Sequence, residues 1–189
     1  MRFLDWFRKR GQAAPIKLVI GAAGIYEPGW TPTEVEQLNL LKPEDWERSF
    51  QRNAIDAILA EHVWEHLSEA DGRQAARQCY EYLKPGGYLR IAVPDGFHPD
   101  QGYIDYVKPG GHGAGADDHK VLYDHKSILP MFENVGFRVE LLEYFDSEGH
   151  FHCVDWNPED GKILRSRRFD ERNADKPLSY TSLILDAKK

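Results

Sequence analysis

Short runs of apolar residues recur along the chain, and segments with helical periodicity lie between them. Each run has the length and the β-branched or aromatic content of a strand. The runs are Ile16–Ile20, Ile55–Ala60, Tyr88–Val93, Phe137–Tyr144 and Ser179–Ala187. Several of them are apolar almost without interruption, which is typical of strands covered on both faces. The pattern therefore predicts an interior sheet.

Helices are predicted between the strands from their start and stop signals. Lys42–Phe50 carries a proline near its first turn, Ser68–Leu83 opens with the spacing of a capping box, and Ser127–Val135 stops at a glycine. Glu34–Leu41 is predicted to hold two short strand fragments. The alternation predicts an α/β fold with a mostly parallel twisted sheet, helices on both faces and an antiparallel strand near the C-terminus.

Two segments outside this alternation have their own predictions. Residues 1–14 are predicted to form an N-terminal helical extension with apolar bulk on one side. It is expected to pack on the domain or on a second copy of the chain, so a homodimer stays open, with weak docking on a membrane surface as the alternative. Residues 108–120 contain the glycine-rich, polar stretch Gly110–His119, which suits a substrate lid. Between the first strand and Pro32, glycines and prolines leave no room for a full crossover helix.

Length and composition fit one domain spanning residues 1–189. The chain has 189 residues, 41% of them hydrophobic, enough for a core without disulfide bridges. Its two cysteines, Cys79 and Cys153, lie far apart and lack the spacing of a thiolate metal site. A formal net charge of −7 disfavours nucleic acid as a partner. No apolar stretch has the length of a membrane span or a secretory leader, so a cytoplasmic location is expected.

Three motifs carry a resemblance to a known superfamily. Ile20–Gly24, Ile55–Leu67 and Leu83–Asp95 resemble successive motifs of class I S-adenosylmethionine (AdoMet) dependent methyltransferases. The tail segments Arg168–Asn173 and Tyr180–Asp186 are similar to a narrower group of short bacterial methyltransferase-like proteins, most of which have no known substrate. The resemblance implies a Rossmann-like methyltransferase fold, with AdoMet as cofactor and a small molecule, glycan or peptide as acceptor.

The resemblance also implies a division of labour among residues at the strand ends. The turn that begins at Gly21 would let the backbone approach the methionine part of AdoMet. Glu34 would accept hydrogen bonds from the ribose hydroxyls, Asn39-Leu40 would flank the adenine, and the Glu61-His62 pair would lie near the transferred methyl group. The implied cofactor-binding residues are Gly21, Ala22, Gly24, Glu34, Asn39, Leu40, Glu61 and His62.

Two positions depart from the family pattern. Ala23 stands where the family has a second glycine, and Asn39 replaces a common aspartate. If Ala23 needs a positive φ, it costs roughly 1 kcal/mol relative to glycine. These departures fit a working but variant site, or a methyltransferase-fold binding protein with little catalysis.

Methyl transfer requires an aligned acceptor and, for oxygen or nitrogen acceptors, removal of a proton. His62, His119 and Asp95 are the candidate catalytic residues, because they follow strands or lie in the glycine-rich segment. For each histidine a structural role is the more common alternative. Asp95 could equally cap the turn that contains Gly96.

A remote alternative comes from His62-Val-Trp-Glu65-His66, which matches the inverted zinc-peptidase signature H-x-x-E-H. Under that hypothesis His62 and His66 bind zinc, and Glu65 acts as the base of a zinc hydrolase. Five residues match often by chance, and methyltransferases carry a similar Glu-His sequence here. His150 and His152 form a second metal-like pair that is better explained by a surface hairpin. The sequence therefore predicts no metal site.

Overall fold

The computed structural model describes residues 14–24, 28–175 and 178–189. The predicted N-terminal helix over residues 1–14 lies outside the described residues, apart from Ala14. No helix among the described residues is long and apolar enough to cross a membrane.

Seven strands and four α-helices form the described chain, with three short 3-10 turns. The strands are β1 Lys17–Ile20, β2 Thr31–Thr33, β3 Ile55–Glu61, β4 Leu83–Pro94, β5 Arg138–Phe145, β6 Phe151–Cys153 and β7 Ser182–Lys188. The helices are α1 Pro43–Ser49, α2 Glu69–Tyr82, α3 Gln101–Val107 and α4 His125–Glu133. The 3-10 turns are Trp64–His66, Pro158–Asp160 and Glu171–Asn173.

All seven strands join one sheet in the order β2-β1-β3-β4-β7-β5-β6. β2, β1, β3 and β4 pair in parallel. β7 runs antiparallel to both β4 and β5, and β6 runs antiparallel to β5. β1 to β5 therefore share one direction, which β6 and β7 oppose. The predicted Rossmann-like α/β class is confirmed, including the antiparallel C-terminal strand.

Side chains alternate between the two faces of the sheet, and each face has its own core. In β1, Leu18 and Ile20 join the larger cluster with residues of α1, α2 and α4, whereas Val19 joins the smaller one. The smaller cluster is completed by Trp156 and Ile163, from the segment between β6 and β7, and by Trp30 from the β1–β2 connection, among others. The irregular segment between β6 and β7 therefore covers this second face, and the same segment contacts the candidate active site.

The strand predicted within Glu34–Leu41 is wrong in position. β2 lies earlier, at Thr31–Thr33, and residues 34–41 form turns whose Leu38 and Leu40 point into the core. Pro32 was interpreted as a turn residue. It lies in β2, which is an edge strand, and a proline is tolerated there because no hydrogen bond in the interior of the sheet is lost. The shift places Glu34 directly after a strand end.

Three further elements differ from prediction. α3 was not predicted, because its seven residues carry little helical periodicity. β4 begins at Leu83 and contains the glycine pair expected only to end α2, because the register shifts between Ile55 and Ala57 of β3 and the extra residues are accommodated in β4. α4 begins two residues early because Asp124 accepts the backbone N–H of Lys126 and Ser127 in a capping box. The predicted hairpin around His150 and His152 is confirmed as β5–β6.

The glycine-rich segment 108–120 is held in place by its own backbone. Gly110 N–H donates to Ala116 O at 2.9 Å, and Gly113 N–H donates to Tyr106 O at 2.8 Å. At its end, Lys120 N–H donates to the carbonyl of Glu65 at 2.7 Å. The segment is therefore fastened beside the 3-10 turn that follows β3. Its role as a substrate lid stays a prediction.

Candidate active site

The carboxyl ends of three parallel strands meet at one edge of the sheet. Register pairs Ile20 at the end of β1 with Thr33 of β2 on one side and with Ala60 of β3 on the other. The next residues along the chain, Gly21, Glu34 and Glu61, therefore lie side by side. The chain passes from β1 to β2 on one side of β1 and then crosses to β3 on its other side. Ligands of α/β sheets bind at such a switch point.

The turn after β1 has the conformation that close backbone approach requires. Gly21 is exposed with φ of 60°, and a Cβ placed on it would lie 2.9 Å from Val63 Cγ2. Ala22 is buried, and its N–H donates to Thr33 O at 3.2 Å, which joins the turn to β2. Gly24 is exposed at φ of 82°, with open space where a Cβ would be. A side chain at Gly21 is disfavoured by its conformation and by its contact with Val63.

Ala23 adopts φ of 46°, the left-handed conformation that the missing glycine would favour. We expect Ala23→Gly to raise the free energy of unfolding by about 0.5–1 kcal/mol, because it relieves left-handed strain that exceeds the extra chain entropy of glycine. Urea unfolding measures this change. Ala22→Gly is the matched control: Ala22 is buried without a positive φ, so that variant loses stability. If Ala23→Gly loses stability as Ala22→Gly does, the backbone of Ala23 is not strained.

The predicted ribose and adenine residues follow β2. Glu34 is partly exposed, and only its backbone is engaged: its N–H donates to Gln37 Oε1 at 2.9 Å. Asn39 makes a local turn in which its Oδ1 accepts the N–H of Leu41 at 2.9 Å. Leu40 is 6% exposed and belongs to the core. The carboxylate of Glu34 is thus available to a ligand, whereas Leu40 faces the interior.

The carboxylate of Glu61 binds the segment between β6 and β7. It accepts the backbone N–H of Leu164 at 2.9 Å and of Arg165 at 2.8 Å, and the Arg165 guanidinium lies 3.4 Å away. The Glu61 side chain is 7% exposed. Since both oxygens are engaged in these contacts, Glu61 anchors the segment that covers the second face of the sheet.

His62 follows Glu61 in a left-handed conformation, with φ of 56°. Its Nε2 lies 2.9 Å from Ser182 Oγ, and because that hydroxyl donates to Arg165 O at 2.8 Å, Nε2 is the donor to Oγ. Its Nδ1 lies 3.0 Å from Glu65 Oε1 as an ion-pair contact. Both ring nitrogens therefore face protein groups, an arrangement that positions His62 rather than leaving it free for a substrate.

Ser182, His62 and Glu65 line up like a nucleophile, base and orienting acid, but the serine cannot attack a substrate. Ser182 is fully buried, and its hydroxyl hydrogen is already donated to a backbone carbonyl. The line of contacts is structural: it ties the start of β7 to the end of β3. Burial opposes ionisation of Glu65, but the charge and contact of His62 hold the pKa of Glu65 below its usual range.

Asp95 follows β4 and is fully buried. One carboxylate oxygen accepts the N–H of Phe97 at 2.9 Å, and the other accepts the N–H of Phe145 at 2.7 Å. Burial raises the pKa of Asp95 to about 6, against the lowering effect of these two hydrogen bonds and with a smaller contribution from the charge of Asp124. The residue caps its own turn and ties it to the end of β5.

The raised pKa of Asp95 makes this group stabilise the fold more at low pH. The folded state holds the proton up to about pH 6, whereas the unfolded chain releases it near its ordinary value of 3.8, so the contribution falls as pH rises through that window. From pH 4.5 to 7.5 we expect Asp95 to remove roughly 2 kcal/mol of unfolding free energy. Urea titrations at both values, compared with Asp95→Asn, measure it. An equal pH dependence in the variant would contradict this origin.

His119 ends the glycine-rich segment and lies beside His66. Its Nδ1 donates to Val107 O at 2.7 Å, and the two imidazole rings meet edge to face with centroids 4.8 Å apart. His66 Nδ1 donates to Asp118 Oδ2 at 3.2 Å. Neither Nε2 has a hydrogen-bond partner among the described residues, so of the two predicted catalytic histidines His119 alone keeps a ring nitrogen without such a partner.

The geometry of the inverted zinc-peptidase signature is not formed. His62 precedes the 3-10 turn Trp64–His66 in a left-handed conformation, so it does not share a helical face with His66. Its ring is engaged with Ser182 and Glu65. The zinc hydrolase reading that used His62 and His66 as paired ligands is therefore wrong for this structure.

Comparisons with known proteins agree with this fold. The chain aligns over its full length with a SAM-dependent methyltransferase structure from Archaeoglobus fulgidus, with 17% identity, 90% of that chain covered and a TM-score of 0.53. A structure described as an S-adenosylmethionine dependent methyltransferase from Mesorhizobium loti gives 12% identity, 93% and 91% coverage and a TM-score of 0.51. The fold is thus that of the AdoMet-dependent methyltransferase class.

The family is shown by the sequence itself. A family model described as a methyltransferase domain matches residues 4–142, most of the chain, so the protein belongs to that family and is a methyltransferase. No curated protein matches the sequence. The class predicted from the three motifs is therefore confirmed.

Sequence reasoning missed three residues that shape the site: Asp118, Ser182 and Arg165. Asp118 stands next to a predicted catalytic histidine, which was a usable signal. Ser182 and Arg165 contact the end of β3 from more than 100 positions away, and no local pattern marks them.

Proposed function

We propose that this chain binds AdoMet at the edge formed by β1, β2 and β3 and transfers its methyl group to a small-molecule, glycan or peptide acceptor. AdoMet supplies a methyl carbon already activated by a sulfonium. The main observation is that the exposed, left-handed Gly21 lies beside the Glu34 carboxylate, which has no partner among the described residues, at the next strand end.

The residues present at this edge suit the cofactor. Gly21 and Gly24 leave backbone uncovered, so a ligand can approach closer than any side chain would allow. The Glu34 carboxylate has no partner among the described residues and can accept two hydrogen bonds from adjacent ribose hydroxyls. Asn39 keeps its amide N–H groups free of described partners, and these can donate to a ring nitrogen of adenine.

On the acceptor side, the chain mainly positions the reacting atoms. Glu61 and His62 are held by Leu164, Arg165 and Ser182, which fixes the wall of the site against the second face of the sheet. A rigid wall aligns the acceptor with the methyl group, and such alignment contributes a large share of the barrier reduction in two-reactant steps. Proton removal from an oxygen or nitrogen acceptor is assigned to the free ring nitrogen of His119 or to solvent.

Calorimetric titration with AdoMet and with S-adenosylhomocysteine tests the cofactor assignment. We expect both to bind one site per chain, and Glu34→Gln to weaken both by about tenfold, because one charge-assisted hydrogen-bond acceptor is lost. Glu36→Gln is the matched control, since Glu36 is an exposed neighbour that the proposal does not place in the site.

Two outcomes separate the enzyme from a binding protein. If neither AdoMet nor S-adenosylhomocysteine binds, the proposal is refuted. Binding without transfer of a labelled methyl group to a panel of small-molecule, glycan and peptide acceptors would identify a methyltransferase-fold binding protein. The internal contacts of His62 and Asp95 would then explain why chemistry is absent.

A further inference from the structure

Three side chains with metal-binding atoms meet just beyond the end of β3. They are Glu65 and His66, from the 3-10 turn, and His119, from the glycine-rich segment. One ligand atom from each lies within 4.8 Å of the other two. This cluster includes neither His62 nor the hairpin histidines, so it differs from both metal-like patterns in the sequence.

The Glu65 carboxylate is buried without adequate partners. Its side chain is 0% exposed, and neither oxygen accepts a hydrogen bond from any described residue. Oε1 has only the 3.0 Å ion-pair contact with His62 Nδ1. A buried carboxylate normally accepts several hydrogen bonds or coordinates a metal ion, because leaving it short of partners is costly. The cluster therefore contains a carboxylate that the described residues leave short of hydrogen-bond donors.

Both histidines are oriented as metal ligands usually are. A ligating histidine donates its other ring N–H to a carboxylate or a backbone carbonyl, which fixes the tautomer and the ring orientation. His66 Nδ1 donates to Asp118 Oδ2 at 3.2 Å, and His119 Nδ1 donates to Val107 O at 2.7 Å. In each ring the Nε2 lone pair is left for a ligand.

We propose that Glu65, His66 and His119 bind a divalent transition-metal ion, with zinc the best match. Two imidazoles and one carboxylate are a ligand set that zinc takes in open sites, where three protein ligands leave a fourth position for water or a substrate atom. Calcium and magnesium prefer oxygen ligands and fit this set poorly.

Metal binding requires a small contraction of the cluster. Ligands about 2.1 Å from zinc in a tetrahedron lie about 3.4 Å apart, so separations up to 4.8 Å must close by up to about 1.4 Å. His66 is partly exposed and His119 lies at the end of a loop, so rotation of their side chains suffices. Glu65 stays fixed by its burial.

An ion here would join the glycine-rich segment 108–120 to the end of β3 through His119. The backbone already brings them together, since Lys120 N–H donates to Glu65 O. With the ion bound, the His119 nitrogen would be a ligand, and of the two routes given above for proton removal solvent would remain; the vacant position on the ion would be available to an acceptor oxygen or nitrogen. The metal site does not depend on AdoMet binding.

The test is titration of chelator-treated full-length protein with Zn²⁺ against a competing chromophoric chelator. We expect one Zn²⁺ per chain, and a loss of affinity of at least about 100-fold in Glu65→Gln, His66→Ala and His119→Ala. Asp118→Ala should lose about 10–100-fold by releasing the His66 ring. Co²⁺ in place of Zn²⁺ should give the intense visible absorption of a low-coordinate site.

Two control variants keep the histidine count comparable. His112→Ala removes an exposed histidine of the same segment, and His152→Ala removes one of the hairpin pair; both should bind Zn²⁺ like the original chain. Wild-type protein with no stoichiometric Zn²⁺ would overturn the proposal, as would binding that survives His119→Ala. His119 lies in a surface segment, so this variant is decisive even if Glu65→Gln fails to fold. Metal-free protein that still binds AdoMet would leave the proposed function intact.

Discussion

Replacing Gly21 with valine is expected to lower the affinity for AdoMet by at least about 100-fold, equivalent to about 3 kcal/mol of binding free energy. A β-branched residue is strongly disfavoured at the observed φ of 60°, and its Cβ would lie 2.9 Å from Val63 Cγ2. The turn must therefore move, and the new side chain would occupy the space beside the backbone that the cofactor needs. Calorimetric titration with AdoMet measures the loss.

Gly29→Val separates this effect from general backbone strain. Gly29 also has a positive φ, of 83°, but a Cβ on it meets nothing within 4 Å, and it lies outside the proposed site. Both variants should lose some thermal stability, and only Gly21→Val should lose AdoMet affinity. If the two variants bind AdoMet equally well, Gly21 has no role in the cofactor site.

Replacing Arg90 with methionine is expected to lower the free energy of unfolding by about 3–5 kcal/mol. Arg90 is 2% exposed and makes a bidentate pair with Asp186 across the β4–β7 ladder, at 2.7 and 2.9 Å. Its Nη1 also donates to the carbonyl oxygens of Asn157 and Gly161, which fastens the irregular segment onto the sheet. Methionine leaves a buried carboxylate without its counter-charge and two carbonyls without a donor.

The double variant Arg90→Met/Asp186→Leu tests this explanation. Removing both charges eliminates the unpaired carboxylate, so the double variant should recover part of the stability that the single variant loses. Urea unfolding of the two variants and the original chain gives the coupling energy. A loss below about 1 kcal/mol in Arg90→Met would show that the pair contributes no more than a surface ion pair.

The fold was predictable because its strands are nearly continuous apolar runs. Ile55–Ala60 was predicted as a strand and forms most of β3. All but one of its residues are buried inside the sheet, where burial requires apolar residues. β2 was misplaced because an edge strand of three residues needs neither apolar composition nor freedom from proline. α3 was missed because only Tyr103 and Val107 in it are buried.

Part of the candidate site was also predictable. Parallel strands bring their carboxyl ends to one edge, so the residues that follow them, Gly21, Glu34, Glu61 and Asp95, were expected to converge. The first three lie side by side, whereas the carboxylate of Asp95 is buried and bonded to the backbone of Phe97 and Phe145. Their individual roles were less accessible. The sequence marks Glu61 as a residue at a strand end, but it does not show that its carboxylate is already taken by Leu164 and Arg165.

The sequence by itself determined the α/β class and the family, and it predicted the edge of the sheet at which we propose the cofactor binds, because hydrophobic periodicity, motifs and strand ends are local properties of the chain. Only the tertiary structure decided which polar atoms are free. His62 meets Ser182 across 120 positions, and His66 meets Asp118 across 52. A hydrogen-bond partner depends on how distant segments pack, and no local pattern records that. Packing therefore engaged both ring nitrogens of His62, and it left Glu65, His66 and His119 facing one another with ligand atoms that accept no hydrogen bond from the described part of the chain.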